Sequence, residues 1–212
     1  MFKEWMVKGR PVMWPLLVCS LWAVACIFER AIYWWQERRR MNLAEVGLFL
    51  EHLRRGRLKE ALRAGHASQN PILKTLVSSL VHGDKTLDDA LELETAKTSE
   101  QFWKTLSGLD TAITLAPLLG IFGTVTGIIR SFNLLGTMSI TDPQAVSTGI
   151  AEALITTAAG LAIAMPSVIF YNIFSARAEK STFQLERYAR EFKILYRQAV
   201  ERRTEVPHEV NA

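Results

Sequence analysis

The chain has 212 residues, of which 49% are hydrophobic and 22% are charged, and its formal net charge is +4. The basic residues have acidic neighbours and flank apolar blocks, which argues against nucleic-acid binding and is typical of membrane topology signals. The sequence has no GxxxxGK[ST] phosphate loop, no HExxH motif and no paired CxxC motif, so it gives no support for an enzyme, a cofactor or a metal site.

The first apolar block predicts a transmembrane helix over residues 11–35. It contains VMWPLLVCSLWAVACIF, and about 20 apolar residues are enough to span a bilayer. Trp14 lies near one end and Trp34 and Trp35 lie near the other, where interfacial aromatic residues anchor such helices. The block ends in QERRR rather than at a small-residue cleavage site, so we expect it to be retained after a short N-terminus over residues 1–10.

Residues 36–108 are rich in charge and predict a helical region. The stretch LAEVGLFLEHLRRGRLKEALRAG places apolar residues three and four positions apart. Gly56 and Gly65 are expected to punctuate these helices. TLDDALELETAKTSEQFWKTL also has a helical pattern, and we expect it to run straight into the second apolar block.

Two further apolar blocks predict transmembrane helices over residues 109–135 and 146–173, joined by a short loop over residues 136–145. Residues 174–212 are typical of a charged helix with a frayed end. Apolar side chains repeat along this helix at the spacing of a helix–helix contact, at Leu185, Tyr188, Phe192, Leu195 and Ala199.

The pattern predicts an all-α membrane protein with three transmembrane helices and long cytoplasmic helical extensions. Lysine and arginine number twelve in residues 36–108 and eight in residues 176–212, but none in residues 136–145. Because cytoplasmic segments carry the excess of basic residues, we expect a periplasmic N-terminus and a cytoplasmic C-terminus. The three basic residues of the N-terminus oppose this assignment and are outnumbered.

Glu152 is the one charged residue of the third block, about 10 Å from its middle. A carboxylate there should face protein or a water-filled cavity, unless it is a helix-terminal group stabilised by the helix N-terminus. Thr156 lies nearly on the face of Glu152, Thr157 is rotated further round, and Thr124 lies in the second block. A single membrane threonine is commonly structural, but this set together with Glu152 suits a hydrated path.

Small residues in the second and third blocks predict close helix packing. Gly123 and Gly127 form a GxxxG motif, preceded by Gly120, and Gly160 lies in the third block among several alanines. Small side chains allow membrane helices to approach closely and to form hydrogen bonds with each other. The pattern indicates a tight helix bundle and carries no chemistry by itself.

Two segments resemble the signature helices of the MotA/TolQ/ExbB proton channel family. They are APLLGIFGTVTGII and GIAEALITTAAGLAIAMPSVIFYNIF. ExbB-type members are also similar in two further segments, KGRPVMWPLLVCSLWAVACIFER and GRLKEALRAG. The three predicted membrane helices fit the ExbB type better than the MotA type, which has four. The resemblance covers almost the whole chain. It implies that Thr124, Glu152 and Thr157 are ion-pathway residues, with Thr156 as a neighbour that helical geometry alone slightly prefers to Thr157.

The resemblance also implies partners and a function. Such proteins form a homo-oligomer, a pentamer, in the bacterial inner membrane around the transmembrane helices of an ExbD- or TolR-like partner, which carries the essential aspartate. Proton flow drives a motion that a TonB- or TolA-like protein passes to the outer membrane. Two alternatives stay open: a TolQ-like subunit for envelope maintenance or a gliding-type motor, and a non-conducting structural membrane scaffold.

Overall fold

A computed structural model describes residues 10–80, 87–137 and 143–205. Over these residues the chain forms α-helices and no β-strand, which confirms the predicted all-α class. The helices are α1 (Arg10–Arg40), α2 (Leu43–Arg54), α3 (Leu58–Ala67), α4 (Pro71–Ser79), α5 (Leu87–Trp103), α6 (Leu106–Thr137) and α7 (Pro143–Glu205). The predicted N-terminal segment before residue 10, the centre of the predicted 136–145 loop and residues 206–212 lie outside the described residues.

Three helical stretches each include a segment long and apolar enough to cross a membrane, as predicted: Val12–Arg40, Leu87–Asn133 and Ser147–Arg202. The last stretch has 56 residues and lies within α7. At 1.5 Å per residue it is about 84 Å long, whereas the hydrocarbon core of a bilayer is about 30 Å thick. Only part of α7 can therefore lie in lipid, and its charged part must extend beyond the membrane.

The prediction of one continuous helix from residue 87 into the second apolar block is wrong, because the helix breaks at Thr105. The Thr105 backbone has a φ of 67°, in the left-handed region that β-branched residues rarely adopt. Its hydroxyl donates a hydrogen bond of 2.9 Å to Oε1 of Glu29. The sequence pattern on either side is helical, so it gives no sign of this local conformation.

The two glycines expected to punctuate the charged region behave differently. Gly56 has a φ of 72° and forms the turn between α2 and α3, as predicted. Gly65 lies inside α3 instead, where an added Cβ would lie 2.5 Å from Cγ2 of Val77 and 3.1 Å from a ring carbon of Phe49. Gly65 is therefore a close-packing position rather than a break.

The chain divides into two compact units: Met1–Ala31 with Thr105–Ser175, and Ile32–Lys104 with Ala176–Ala212. In the first unit many large apolar side chains point outwards and small residues lie inside. Exposed apolar residues of its helices include Trp14, Val18, Leu118, Phe122, Val125, Leu154, Met165 and Ile169. An apolar exterior of this kind suits lipid or a membrane-embedded partner.

The second unit has a core of large apolar side chains, as a water-soluble helical domain has. Its buried residues include Phe49, Leu53, Ile72, Leu76, Leu185 and Phe192. The rings of Phe49 and Phe192 are 5.9 Å apart, which places the predicted apolar stripe of the C-terminal helix against α2. Asn70 is fully buried, caps α4 by accepting from the Ile72 N–H, and donates to the Asn42 carbonyl.

Candidate ion-pathway site

The site is built on the antiparallel contact of α6 and α7, which we call the small-residue seam. Residue numbers fall along α7 as they rise along α6, and small residues face each other at every turn. The facing pairs are Ala116 with Gly160, Gly120 with Thr157, Gly123 with Thr156, Gly127 with Ala153, and Ser131 with Gly149.

The glycines of the seam bring the two backbones close together. A Cβ added at Gly120 would lie 3.0 Å from the Thr156 carbonyl oxygen and 3.0 Å from Cα of Thr157. A Cβ at Gly160 would overlap with the carbonyl oxygen of Ala116, and one at Gly127 would lie 2.7 Å from the Ala153 Cβ. Contacts this close between backbones are possible only where side chains are absent or very small.

The carbonyl of Gly120 is the polar centre of the seam. The Thr157 hydroxyl donates to its oxygen over 3.0 Å, and the Thr156 hydroxyl, whose single proton is shared with the nearer Ala153 carbonyl, lies 3.3 Å away. In a regular α-helix this carbonyl also accepts the N–H of Thr124, four residues on. Thr124 and Thr157, two of the predicted pathway residues, are therefore linked through one peptide group.

The two adjacent threonines of α7 have different environments. Thr156 is 3% exposed, and its hydroxyl also donates to the Ala153 carbonyl over 2.7 Å, so it is a buried residue of the seam. Thr157 is half-buried at the edge of the seam, and its hydroxyl donates a hydrogen bond to the neighbouring helix. Thr157 thus has a part of its surface available to a pathway, and Thr156 has almost none.

Thr124 is half-buried and donates a hydrogen bond of 2.7 Å to the Ile121 carbonyl of its own helix. The hydroxyls of Thr124 and Thr157 both donate hydrogen bonds to backbone carbonyls. The lone pairs of these hydroxyl oxygens therefore point away from those carbonyls. A hydroxyl in this state acts as an acceptor. Both residues can therefore accept a hydrogen bond from water, from a hydrated proton or from a protonated carboxyl group.

Glu152 is half-buried and has an interaction partner. It is not a helix-terminal residue, because α7 begins at Pro143, nine residues or about 14 Å earlier. The field of a helix N-terminus falls off within the first turn, so it does not account for this carboxylate. Glu152 and Thr157 are five residues apart and so lie about 140° apart around the helix, on different sides of α7.

Sequence reasoning did not single out Ser131 and Gly149, which face each other at the end of the seam nearest the α6–α7 connection. Ser131 is 2% exposed and donates to the Gly127 carbonyl, and an added Cβ at Gly149 would overlap with the Ser131 hydroxyl. The pattern that identifies Ser131 is the spacing of small residues along α6, at positions 112, 116, 120, 123, 127 and 131. Within the described residues, no group of three or more His, Cys, Asp or Glu residues is arranged to hold a metal ion.

Comparison with known proteins identifies the family. The MotA/TolQ/ExbB proton channel family matches residues 61–187, which include the whole small-residue seam. Biopolymer transport protein ExbB-like 3 of Synechocystis sp. is 31% identical over 196 residues, which cover 90% of this chain and 93% of that protein. Biopolymer transport protein exbB1 of Vibrio cholerae is 31% identical over 192 residues, which cover 82% of this chain and 78% of that protein.

A relative with a different name is similar over a shorter region. The Tol-Pal system protein TolQ of Pseudomonas aeruginosa is 42% identical over 109 residues, which cover 51% of this chain and 47% of that protein. The family match, the two ExbB-type relatives and the three membrane-crossing helices agree with one another. The chain is a membrane protein that belongs to the MotA/TolQ/ExbB proton channel family.

Proposed function

We propose that the chain is the channel-forming stator subunit of an ExbB–ExbD-type motor, which uses the proton motive force to energise TonB-dependent import across the outer membrane. Membership of a proton channel family supports transport rather than catalysis. The ExbB-type relatives support the ExbB role, because they match most of this chain and most of their own length.

In this proposal five copies of α6 and α7 surround the transmembrane helices of an ExbD-like partner. Thr124, Glu152 and Thr157 belong to the path, with Glu152 on a different side of α7 from Thr157, and a protonatable carboxylate of the partner passes them. The observation that carries this step is the hydrogen bonding of the two threonines, whose protons are held by the Ile121 and Gly120 carbonyls. Their lone pairs stabilise the protonated form of the carboxyl, and its charge state biases rotation within the pore.

We further propose that the protein lies in the bacterial inner membrane with the N-terminus in the periplasm and the C-terminus in the cytoplasm. The uneven distribution of lysine and arginine supports this orientation. Gly120, Gly123, Gly127 and Gly160 act as helix-packing residues that hold the pathway side chains in register. A cysteine at position 205, labelled from either side of the membrane, tests the orientation.

The proposal is tested by proton-driven uptake of a TonB-dependent substrate in cells that produce Thr124→Val, Thr157→Val or Glu152→Ala. Valine keeps the shape of threonine and removes the acceptor, so we expect at least a tenfold loss of uptake for each threonine variant. Thr157→Ser restores the hydroxyl and should retain uptake. Thr114→Val is the matched control, since Thr114 also donates to carbonyls of α6 but lies outside the seam.

The outcome separates the proposal from a non-conducting scaffold. A scaffold predicts that the variants lose stability and uptake together, whereas the proposal predicts normal assembly without proton-driven work. Normal uptake in all three pathway variants would contradict the proposal.

A TolQ-like role is the second candidate, supported by the TolQ relative that is 42% identical over 109 residues. The path and its residues are the same in both roles, but the output differs. Deleting the gene should abolish TonB-dependent uptake in the first case. In the second case it should make the outer membrane permeable to detergents and leave uptake intact.

A further inference from the structure

A basic cavity lies where the membrane helix α1 ends, in a part of the molecule that the ion pathway does not use. Its volume is about 530 Å³. Helices α1 to α4 and the α3–α4 link supply its lining, which includes the polar residues Arg39, Arg40, Glu45, Ser68 and Gln69 and the apolar residues Leu48, Ala64, Ala67 and Leu73. All of these residues belong to the second unit.

Arg39 and Arg40 give the cavity its positive charge. Neither guanidinium forms an ion pair with a carboxylate in the described part of the chain. Arg39 lies over the ring of Trp35, 4.3 Å from its centroid, which fixes one side of the guanidinium and leaves its N–H donors free to bind an anion. Glu37 precedes Arg40 by one turn of α1 and its carboxyl interacts with the Arg40 charge, but Glu37 is buried outside the lining.

The acidic residue of the lining is already engaged by neighbouring groups. Oε1 of Glu45 accepts a hydrogen bond of 3.2 Å from the Asn42 side chain, and Oε2 accepts one of 2.6 Å from the Ser68 hydroxyl. These bonds hold the carboxylate against the N-terminus of α2 and the link before α4. Arg39, Arg40 and the Gln69 amide remain as the donors that face the cavity.

The sequence places the cavity arginines just beyond the expected membrane span of α1. Trp35 is the aromatic residue expected at the interface, at the end of the apolar block, and Arg39 and Arg40 follow it by about 6 Å and 7.5 Å along the helix. The headgroup layer on each side of a bilayer is roughly 5–8 Å thick. Leu48 is 62% exposed at the cavity, so an apolar surface is available beside the charged one.

We propose that this cavity binds the headgroup of an anionic phospholipid. The guanidinium forks of Arg39 and Arg40 donate to the phosphate oxygens, which is the geometry in which arginine binds phosphate most tightly. The Gln69 amide donates to the polar part of the headgroup, and Leu48 contacts the start of the acyl chains. Basic pockets beside membrane helices are known to select anionic lipids, and the apolar contact distinguishes a lipid from free phosphate.

The test titrates the full-length chain, assembled in neutral detergent, with phosphatidylglycerol, with phosphatidylethanolamine or with glycerol phosphate, and counts bound ligands by native mass spectrometry. We expect the wild-type chain to bind phosphatidylglycerol in preference to the other two. Arg39→Gln with Arg40→Gln should weaken phosphatidylglycerol binding roughly 25-fold, since each arginine near an anionic surface contributes about a factor of five.

The matched control is Arg187→Gln with Arg190→Gln, which removes the same charge from exposed positions of α7 and should leave binding unchanged. Arg39→Lys with Arg40→Lys keeps the charge but removes the fork, and should give an intermediate affinity. That variant also covers the case in which the glutamine pair fails to fold.

Three results would overturn the proposal. They are unchanged phosphatidylglycerol binding in both cavity variants, an equal loss in the α7 control, and equal affinity for glycerol phosphate. The last result would assign the cavity to a soluble phosphate compound.

Discussion

The small-residue seam and the core of the second unit are both helix–helix contacts, but they are made from opposite kinds of side chain. In the seam, glycine, alanine, serine and threonine bring backbones together, and carbonyl groups accept interhelical hydrogen bonds. In the second unit, Phe49 and Phe192 fill the space between helices with aromatic rings. The difference follows from the solvent: lipid provides no hydrophobic driving force, so close contact and hydrogen bonds must hold the membrane helices.

The largest expected effect is the loss of an aromatic ring from the second unit. Phe192→Ala removes a fully buried side chain and leaves a cavity, so the free energy of unfolding of that unit should fall by about 3–5 kcal/mol. Chemical unfolding followed by tryptophan fluorescence measures it. Phe183→Ala is the control, because Phe183 is 61% exposed on the same helix, and its loss should change stability far less. Equal effects would mean that burial does not distinguish the two positions.

The second prediction adds a single methyl group to the seam. Gly160→Ala places a Cβ against the backbone carbonyl of Ala116, which has no flexible side chain that can move aside. We expect a loss of about 2–3 kcal/mol, larger than the roughly 1 kcal/mol that alanine contributes to helix propensity.

Gly47→Ala is the matched control for that substitution. Gly47 lies in α2, and a Cβ added there would have no atom of a neighbouring residue or helix within 4 Å in the described part of the chain. This variant should be stabilised by about 0.5–1 kcal/mol. A stable, fully assembled Gly160→Ala protein in detergent would contradict the backbone contact described for the seam.

A smaller effect on stability is expected at Thr105, in the break between α5 and α6. Thr105 has a left-handed backbone, which glycine adopts freely and valine does not. Thr105→Gly and Thr105→Val both lose the hydrogen bond to Glu29, so the difference between them isolates the backbone strain. We expect the glycine variant to be more stable by about 1–2 kcal/mol in parallel thermal unfolding experiments. Equal melting temperatures would argue against a left-handed residue at this position.

The smallest effect concerns an exposed ion-pair cluster of the second unit. Oδ2 of Asp88 lies 2.9 Å from Nζ of Lys193 and 2.6 Å from Nη2 of Arg197. The hydrogen bond from Lys193 and the charge of Arg197 hold the pKa of Asp88 below its ordinary value, although partial desolvation opposes the shift. The stabilisation should therefore be present above the pKa of the unfolded state and be lost as the pH falls through the lower folded pKa.

The measurement is the melting temperature of wild type and Asp88→Asn between pH 3 and pH 7, at low and high salt. The difference between the two proteins should be small at neutral pH, vanish in acid and shrink in high salt, because surface pairs are screened. A difference that grows in acid would have the wrong sign for a lowered pKa.

The sequence predicts the helical class and the three membrane segments well, because long apolar runs and charged flanks are local features. It also suggests Thr124, Glu152 and Thr157 as pathway residues by motif, an assignment that stays a prediction. It does not predict that the Thr157 hydroxyl binds the Gly120 carbonyl, since the two residues are 37 positions apart and their contact depends on the register of two helices. The break at Thr105 is hidden for another reason, because threonine is not a residue that marks left-handed turns.

The Gly120 carbonyl provides the channel with a natural spectroscopic probe. It accepts a hydrogen bond from the Thr157 hydroxyl, and a longer, shared one from the Thr156 hydroxyl, in addition to its place in the helix ladder, so its stretching vibration should lie at a lower frequency than that of an ordinary helical carbonyl. An isotope label at this one carbonyl would separate its infrared band from the rest of the protein. If Thr157 turns away from this carbonyl during the proton transport proposed above, the band should shift upward during transport.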